Sequence, residues 1–227
     1  MSTYFLPPAV HACFTGDGTV FLDLKHDKYF GLDRHKTSLL RSLLDDNHPA
    51  RDGEHDILAS ELLERGLLTT DAAAGRLFEP ALVELPDAPL LDSVIDEAPR
   101  LRFSHLLHFV GACITVWIAL KRHSLLYAVQ RLKRHRAARV DHCDVDTAQE
   151  FVRVFQYLRP FFYVARDNCL FDSLALTEFL RRRGVQTTCV LGVRTLPFAA
   201  HCWVQTGRLL VDGLPAQVAR FQPILSV

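Results

Sequence analysis

Arg166-Asp167-Asn168-Cys169-Leu170-Phe171-Asp172-Ser173-Leu174-Ala175-Leu176 is the stretch on which the reading of this chain turns. A cysteine stands directly after Asp167 and Asn168, residue types whose side-chain oxygens accept the free N–H groups at a helix start. Behind it Leu170, Leu174, Thr177 and Leu180 recur at helical spacing, Arg181-Arg182-Arg183 suits a helix C-terminus, and Gly184 supplies a stop. Cys169 is therefore expected in the first turn of a helix, where unpaired N–H groups and the helix dipole favour thiolate over thiol. A thiolate in that position is a nucleophile in need of a base.

Downstream, Val185, Thr187, Cys189, Leu191 and Val193 alternate as a strand. Thr195-Leu196-Pro197-Phe198 reads as a loop, and two short strands, 200–205 and 208–212, meet at Thr206-Gly207. A two-residue loop there pairs Gln205 with Arg208 and sets His201 opposite Asp212. Directly opposed residues have Cβ atoms ~5 Å apart, close enough for a carboxylate to accept the imidazole N–H and fix its tautomer. A three-residue loop would turn Asp212 to the other face. Cys169, His201 and Asp212 then supply thiolate, base and orienting acid for attack on an acyl carbon, giving a thioester. The Cys169 N–H and a second donor would hold the oxyanion.

Each of the three also has an ordinary reading. A free cysteine is commonly a small buried hydrophobe, a histidine beside a tryptophan is commonly packed, and an Asp before a Gly opens a turn. Their conjunction carries the chemistry. Among the other cysteines, Cys202 faces away from His201, Cys189 sits in an apolar strand, and Cys113 lies in the most hydrophobic run. Cys143 lies in a polar stretch, and with His142 it lacks the paired spacing of a zinc site, so no metal is expected. No glycine-rich phosphate loop is present, so no cofactor is implied by motif.

Upstream, runs 9–14 and 19–24 flank Gly16-Asp17-Gly18, a strong hairpin signal. A third strand, Lys28-Tyr29-Phe30-Gly31-Leu32, follows the turn Lys25-His26-Asp27. Residues 37–44 and 54–65 read as helices around a turn-rich break at 45–53, with Gly66 capping the second. Prolines 80, 86, 89 and 99 mark 71–99 as a linker. The most hydrophobic window, 101–120, is at the short edge of what spans ~30 Å of hydrocarbon and reads as a buried or amphipathic helix, with peripheral membrane contact the lesser reading and no membrane partner expected. A helix bearing Arg131, Lys133, Arg134, Arg136 and Arg139 follows, its basic face a solvated surface or a site for a polyanion such as a nucleotide phosphate. Phe151, Val154, Phe155 and Leu158 then give 147–158 a helical face.

The bulk composition is that of a globular chain: 227 residues, 49% hydrophobic and 23% charged. Lys plus Arg equals Asp plus Glu at 26 each, which gives no global reason for nucleic acid or an anionic membrane as partner. Six scattered cysteines and the lack of a signal-peptide pattern point to a cytoplasmic protein with reduced thiols.

Cys169, then Asp172-Ser173-Leu174-Ala175-Leu176, Phe179-Leu180, Gly184, Gly192-Val193, Pro197-Phe198-Ala199-Ala200-His201-Cys202-Trp203-Val204 and Asp212 resemble the B proteins of lasso-peptide biosynthesis. These are transglutaminase-like cysteine peptidases, and the likeness covers 150–227. Cys202 departs from the pattern, standing where the family more often has Ala. Asp23, Tyr29 and Leu32 fit the looser D…Y…L pattern of the fused leader-recognition element, which is similar to the quinone-cofactor peptide chaperone.

The resemblance implies an α+β chain: a winged-helix-like domain at 1–70, a linker at 71–99, and a papain- or transglutaminase-like domain at 100–227. The first domain would bind the leader of a ribosomally made precursor by strand addition beside Lys28, Tyr29, Phe30, Gly31 and Leu32, against the helix carrying Leu58 and Leu62. The second would hydrolyse the leader from the core through Cys169, His201 and Asp212. An asparagine-synthetase-like cyclase is the implied partner and would close the macrolactam on the freed amine. ATP dependence of the peptidase is also implied. The competing readings are acyl transfer to an amine through the same residues, as in transglutaminases, and a peptide-binding adaptor without catalysis.

Overall fold

Gly16-Asp17-Gly18 turns the chain between β1 (Val10–Phe14) and β2 (Thr19–Asp23), and the Thr15 N–H donates to the Gly18 carbonyl at 2.8 Å. Glycine is required at 18 because a Cβ there would stand 2.1 Å from the Leu32 carbonyl oxygen. Strand β3 (Lys28–Leu32) pairs antiparallel with β2, Phe21 opposite Phe30, and the sheet order is β1-β2-β3. The connecting turn closes because the Asp23 carboxylate accepts the N–H groups of Lys25 (2.8 Å) and His26 (3.2 Å), while Asp27 adopts φ +53°. Two helices complete the layer: α1 (Arg34–Leu44) and α2 (Gly53–Glu64). Helix α1 begins three residues before the expected start, since Asp33 accepts the Lys36 N–H at 2.8 Å as an N-cap. Their apolar faces and the sheet bury Leu6, Phe21, Leu32, Leu40, Leu58 and Leu62 in one core.

The computed structural model describes residues 4–44, 53–91, 98–136, 145–164 and 168–227. Asp167, His142, Cys143, Arg139 and most of the 45–53 break lie outside the described residues. The chain forms two units: Met1–Ala81 with Val193–Ala199 and Gln222–Ile224, and Leu82–Gly192 with Ala200–Phe221 and Leu225–Val227. The expected linker is occupied by structure. In the first unit Leu6 and Arg76 exchange backbone hydrogen bonds (2.8 and 2.9 Å); in the second, β4 (Ala88–Pro89) pairs with a later strand and Leu90 enters the core.

The second unit packs helices on a sheet. Helix α3 (Phe103–Ile118) runs on through a π-helical turn, Ala119–His123, and is followed by α4 (Leu125–Arg136), α5 (Val145–Leu158) and a 3₁₀ turn, Arg159–Phe161. Helix α6 (Cys169–Arg182) is central, with every residue from Asp172 to Leu180 buried. Phe109 of α3, Phe155 of α5 and Phe179 of α6 join these helices, with ring centroids 5.1 to 6.3 Å apart. Gly184, at φ +81°, ends α6 as expected. Strands β5 (Thr188–Thr195), β6 (Phe198–Thr206), β7 (Leu209–Leu210) and β8 (Gln222–Ser226), with a short helix α7 (Pro215–Val218), follow, in a sheet of order β4-β7-β6-β5-β8 whose residues 193–195, 198–199 and 222–224 are counted in the first unit.

Candidate active site

Cys169 is the first residue of α6, half-buried, and the Asp172 N–H donates to the Asn168 carbonyl at 2.9 Å to open the helix. The Asn168 side chain makes no capping bond; its amide donates to the Val164 carbonyl instead (3.4 Å). The helix starts where expected without that cap, because the burial of Asp172 to Leu180 holds it. Burial raises the Cys169 thiol above its ordinary value; backbone N–H groups of Cys202 and Leu170 pull the other way, and the Asp172 carboxylate adds to the rise. The expected depression is thus corrected: the helix start does stabilise the thiolate, but desolvation outweighs it.

The Cys202 amide beside the sulfur follows His201 directly in β6, so the Cys169 thiol lies against the segment that carries the candidate base. The His201 ring packs against Trp203 (centroids 6.3 Å) and Phe221 (5.3 Å), and burial lowers its pKa. Trp203 fills the space over Gly192 and donates its indole N–H to Gln205 at 2.9 Å, which stiffens this strand. Cys202 points to the other side, where its thiol lies 3.4 Å from that of Cys189, both buried.

The hairpin register differs from the expected one. Thr206 pairs with Leu209 and Gln205 with Leu210, and the Val211 N–H donates to the Val204 carbonyl at 2.8 Å. The loop is therefore Gly207-Arg208, because Gly207 takes the positive φ (+56°) at the first loop position, as a II′ turn requires. This register sets Trp203, not His201, opposite Asp212, and the ladder ends before it.

Asp212 turns instead to the helices. It accepts from Gln156 Nε2 at 3.0 Å and from Arg159 Nη1 at 2.6 Å, and the same Arg159 nitrogen donates to Asp172 at 2.9 Å. Tyr163 O–H donates to the other Asp172 oxygen at 2.7 Å. Burial raises the Asp172 pKa although Tyr163 and Arg159 act against it; burial would lower that of Arg159, but the two carboxylates hold it up. Among the described residues, no hydrogen bond joins His201 to Cys169 or Asp212. Sequence reasoning missed Gln156, Arg159 and Tyr163, whose roles depend on where α5 ends rather than on any local pattern.

In the first unit, the outer edge of β3 pairs with no strand among the described residues. Tyr29, Gly31 and Leu32 line a cleft of about 750 Å³ with Arg34, Leu196 and Phe198, all in that unit. Tyr29 meets Phe198 edge-on at 5.6 Å, Phe30 lies under the Arg65 guanidinium at 4.4 Å, and Lys28 is exposed. Leu58 and Leu62 are 2% and 0% exposed, so they anchor α2 in the core rather than offer a docking surface.

A transglutaminase-like superfamily model matches residues 110–226, just over half of the sequence, and this span includes Cys169, His201 and Asp212. The chain belongs to the transglutaminase-like superfamily. This transglutaminase-like chain is also similar to the microcin J25-processing protein McjB of Escherichia coli, 36% identical over 52 residues. That alignment spans 23% of this chain and a quarter, 25%, of McjB. No solved structure matches the chain.

Proposed function

We propose that this transglutaminase-like protein processes a lasso-peptide precursor, binding its leader and hydrolysing it from the core. The membership of the superfamily and the likeness to McjB support the processing role. The observation that carries the mechanism is the Cys169 sulfur, at the start of a buried helix and against the strand segment of His201. His201 takes the thiol proton as the sulfur attacks the peptide carbonyl, then returns it to the leaving amine; the same base then takes a proton from water as it attacks the thioester, the C–S bond breaks, and the proton passes to the departing Cys169 sulfur as the acid leaves. Asp212 is the acid assigned to orient the imidazole, through a bond that forms only when the His201 ring turns toward it. Each carboxylate oxygen has two acceptor positions, so the bonds from Gln156 and Arg159 leave room for an imidazole N–H. The leader lies as an added strand along β3, with an apolar side chain in the cleft beside Tyr29 and Phe198.

ATP belongs, in this reading, to the partner cyclase. Arg131, on the basic face considered for a nucleotide, is ion-paired with buried Glu178 (3.6 Å), and no residue here is assigned to ATP.

The test is precursor processing with the cyclase and ATP, followed by mass spectrometry. Leader release by wild type and none by Cys169→Ala, with equal leader binding, is expected and sinks the adaptor reading. Leader joined to an added amine would establish acyl transfer instead. An intact precursor with both proteins overturns the peptidase assignment.

A further inference from the structure

Helix α3 presents a fully apolar face to solvent. Phe103 (74% exposed), Leu107, Ile114 and Trp117 (51%) repeat at i, i+4, i+11 and i+14, with Ile118 beside them. They share one side of the helix over ~21 Å. Every exposed residue from 103 to 118 is apolar. The opposite side is fixed in the core of the second unit by His105, Phe109, Ala112 and Val116. The helix, continued to His123, is long and apolar enough to cross a membrane, yet its buried side packs it into a folded unit. It can lie in a surface but not span it.

The charges choose the surface. Arg100 and Arg102 precede the apolar face, Lys121 and Arg122 follow it, and all four are exposed. Residues 98–140 hold nine of the 26 basic residues and none of the 26 acidic ones, so a chain of zero net charge is strongly polarised. An apolar stripe with Trp and Phe, bracketed by long cationic side chains that reach upward to phosphate, is the pattern of an interfacial helix. Anionic headgroups complement it, each nearby Lys or Arg adding attraction that salt screens. A protein partner would need a matching apolar and acidic groove.

We propose that the exposed face of α3 docks this protein on an anionic bilayer surface, independently of the peptidase reading. The experiment is sedimentation of the full chain with vesicles of phosphatidylcholine alone or with about one-third phosphatidylglycerol, the same mixture being read by tryptophan fluorescence. Trp203 is 2% exposed, so Trp117 reports the interface. Binding to the anionic vesicles only, with a blue shift, is expected. It should fall at least tenfold in Leu107→Glu/Ile114→Glu and in high salt, and Trp117→Phe should lose the shift while still sedimenting. Unchanged circular dichroism shows that these surface variants fold. Equal binding to neutral vesicles overturns the anionic assignment. Failure to bind either vesicle, with Ile114→Glu instead breaking association with the cyclase, overturns the membrane in favour of a protein partner.

Discussion

Burial shifts Cys169 up and His201 down, and both directions favour the uncharged form. At neutral pH the two groups then rest as an uncharged thiol and an uncharged imidazole rather than as an ion pair. The sign is simple: a raised thiol pKa means that thiolate accumulates only above the ordinary thiol range, and a lowered histidine stays a base below its usual range. Alkylation of Cys169 by iodoacetamide, followed by peptide mapping, should therefore rise steadily through pH 8 and beyond. A plateau extending down to pH 5 would reveal a preformed ion pair and contradict this. The placement of Cys169 at a helix start and of His201 on a strand was legible in the sequence, because the periodicity on either side of Gly184 changes from helical to alternating. The balance between helix start and desolvation was not, since it depends on which strand covers the sulfur. The same holds for Asp212, whose partners Gln156 and Arg159 come from 56 and 53 positions earlier.

At the scale of elements, turns carried most of the legible signal. Gly16-Asp17-Gly18 located β1 and β2, and Gly66 and Gly184 located helix ends. Gly207 located a hairpin but not its register, because a glycine serves equally at either loop position until its φ is known. Strand β8 escaped notice because Pro223 argues against a central strand, and it is tolerated here on the sheet edge. Gly18 yields a sharper expectation. An added methyl would collide with the Leu32 carbonyl, so Gly18→Ala should destabilise the first unit by about 1–3 kcal/mol in urea unfolding. The displaced atom belongs to β3, so leader affinity should drop as well. Unaltered leader affinity would remove β3 from the proposed docking edge.

For the molecule as a whole, a hydrophobic core in each unit implies separable lesions. Leu62 is fully buried in the first and Phe179 in the second. Leu62→Ala, costing about 2–5 kcal/mol, should weaken leader binding while leaving Cys169 alkylation unchanged; Phe179→Ala, about 3–5 kcal/mol, should do the reverse. Loss of both functions from either change would show one cooperative unit. Composition revealed globularity but concealed the polarised 98–140 segment behind a net charge of zero. The Arg159 bridge between Asp172 and Asp212 has a genetic consequence. A screen for strains that fail to make product would recover lesions at 159, 172 and 212 together. Selection thus acts on codon 212 through architecture whether or not the acid also serves the proposed catalysis, and a null phenotype there would not distinguish the two. Only alleles that keep the guanidinium anchored while changing the acid can separate the two inheritances.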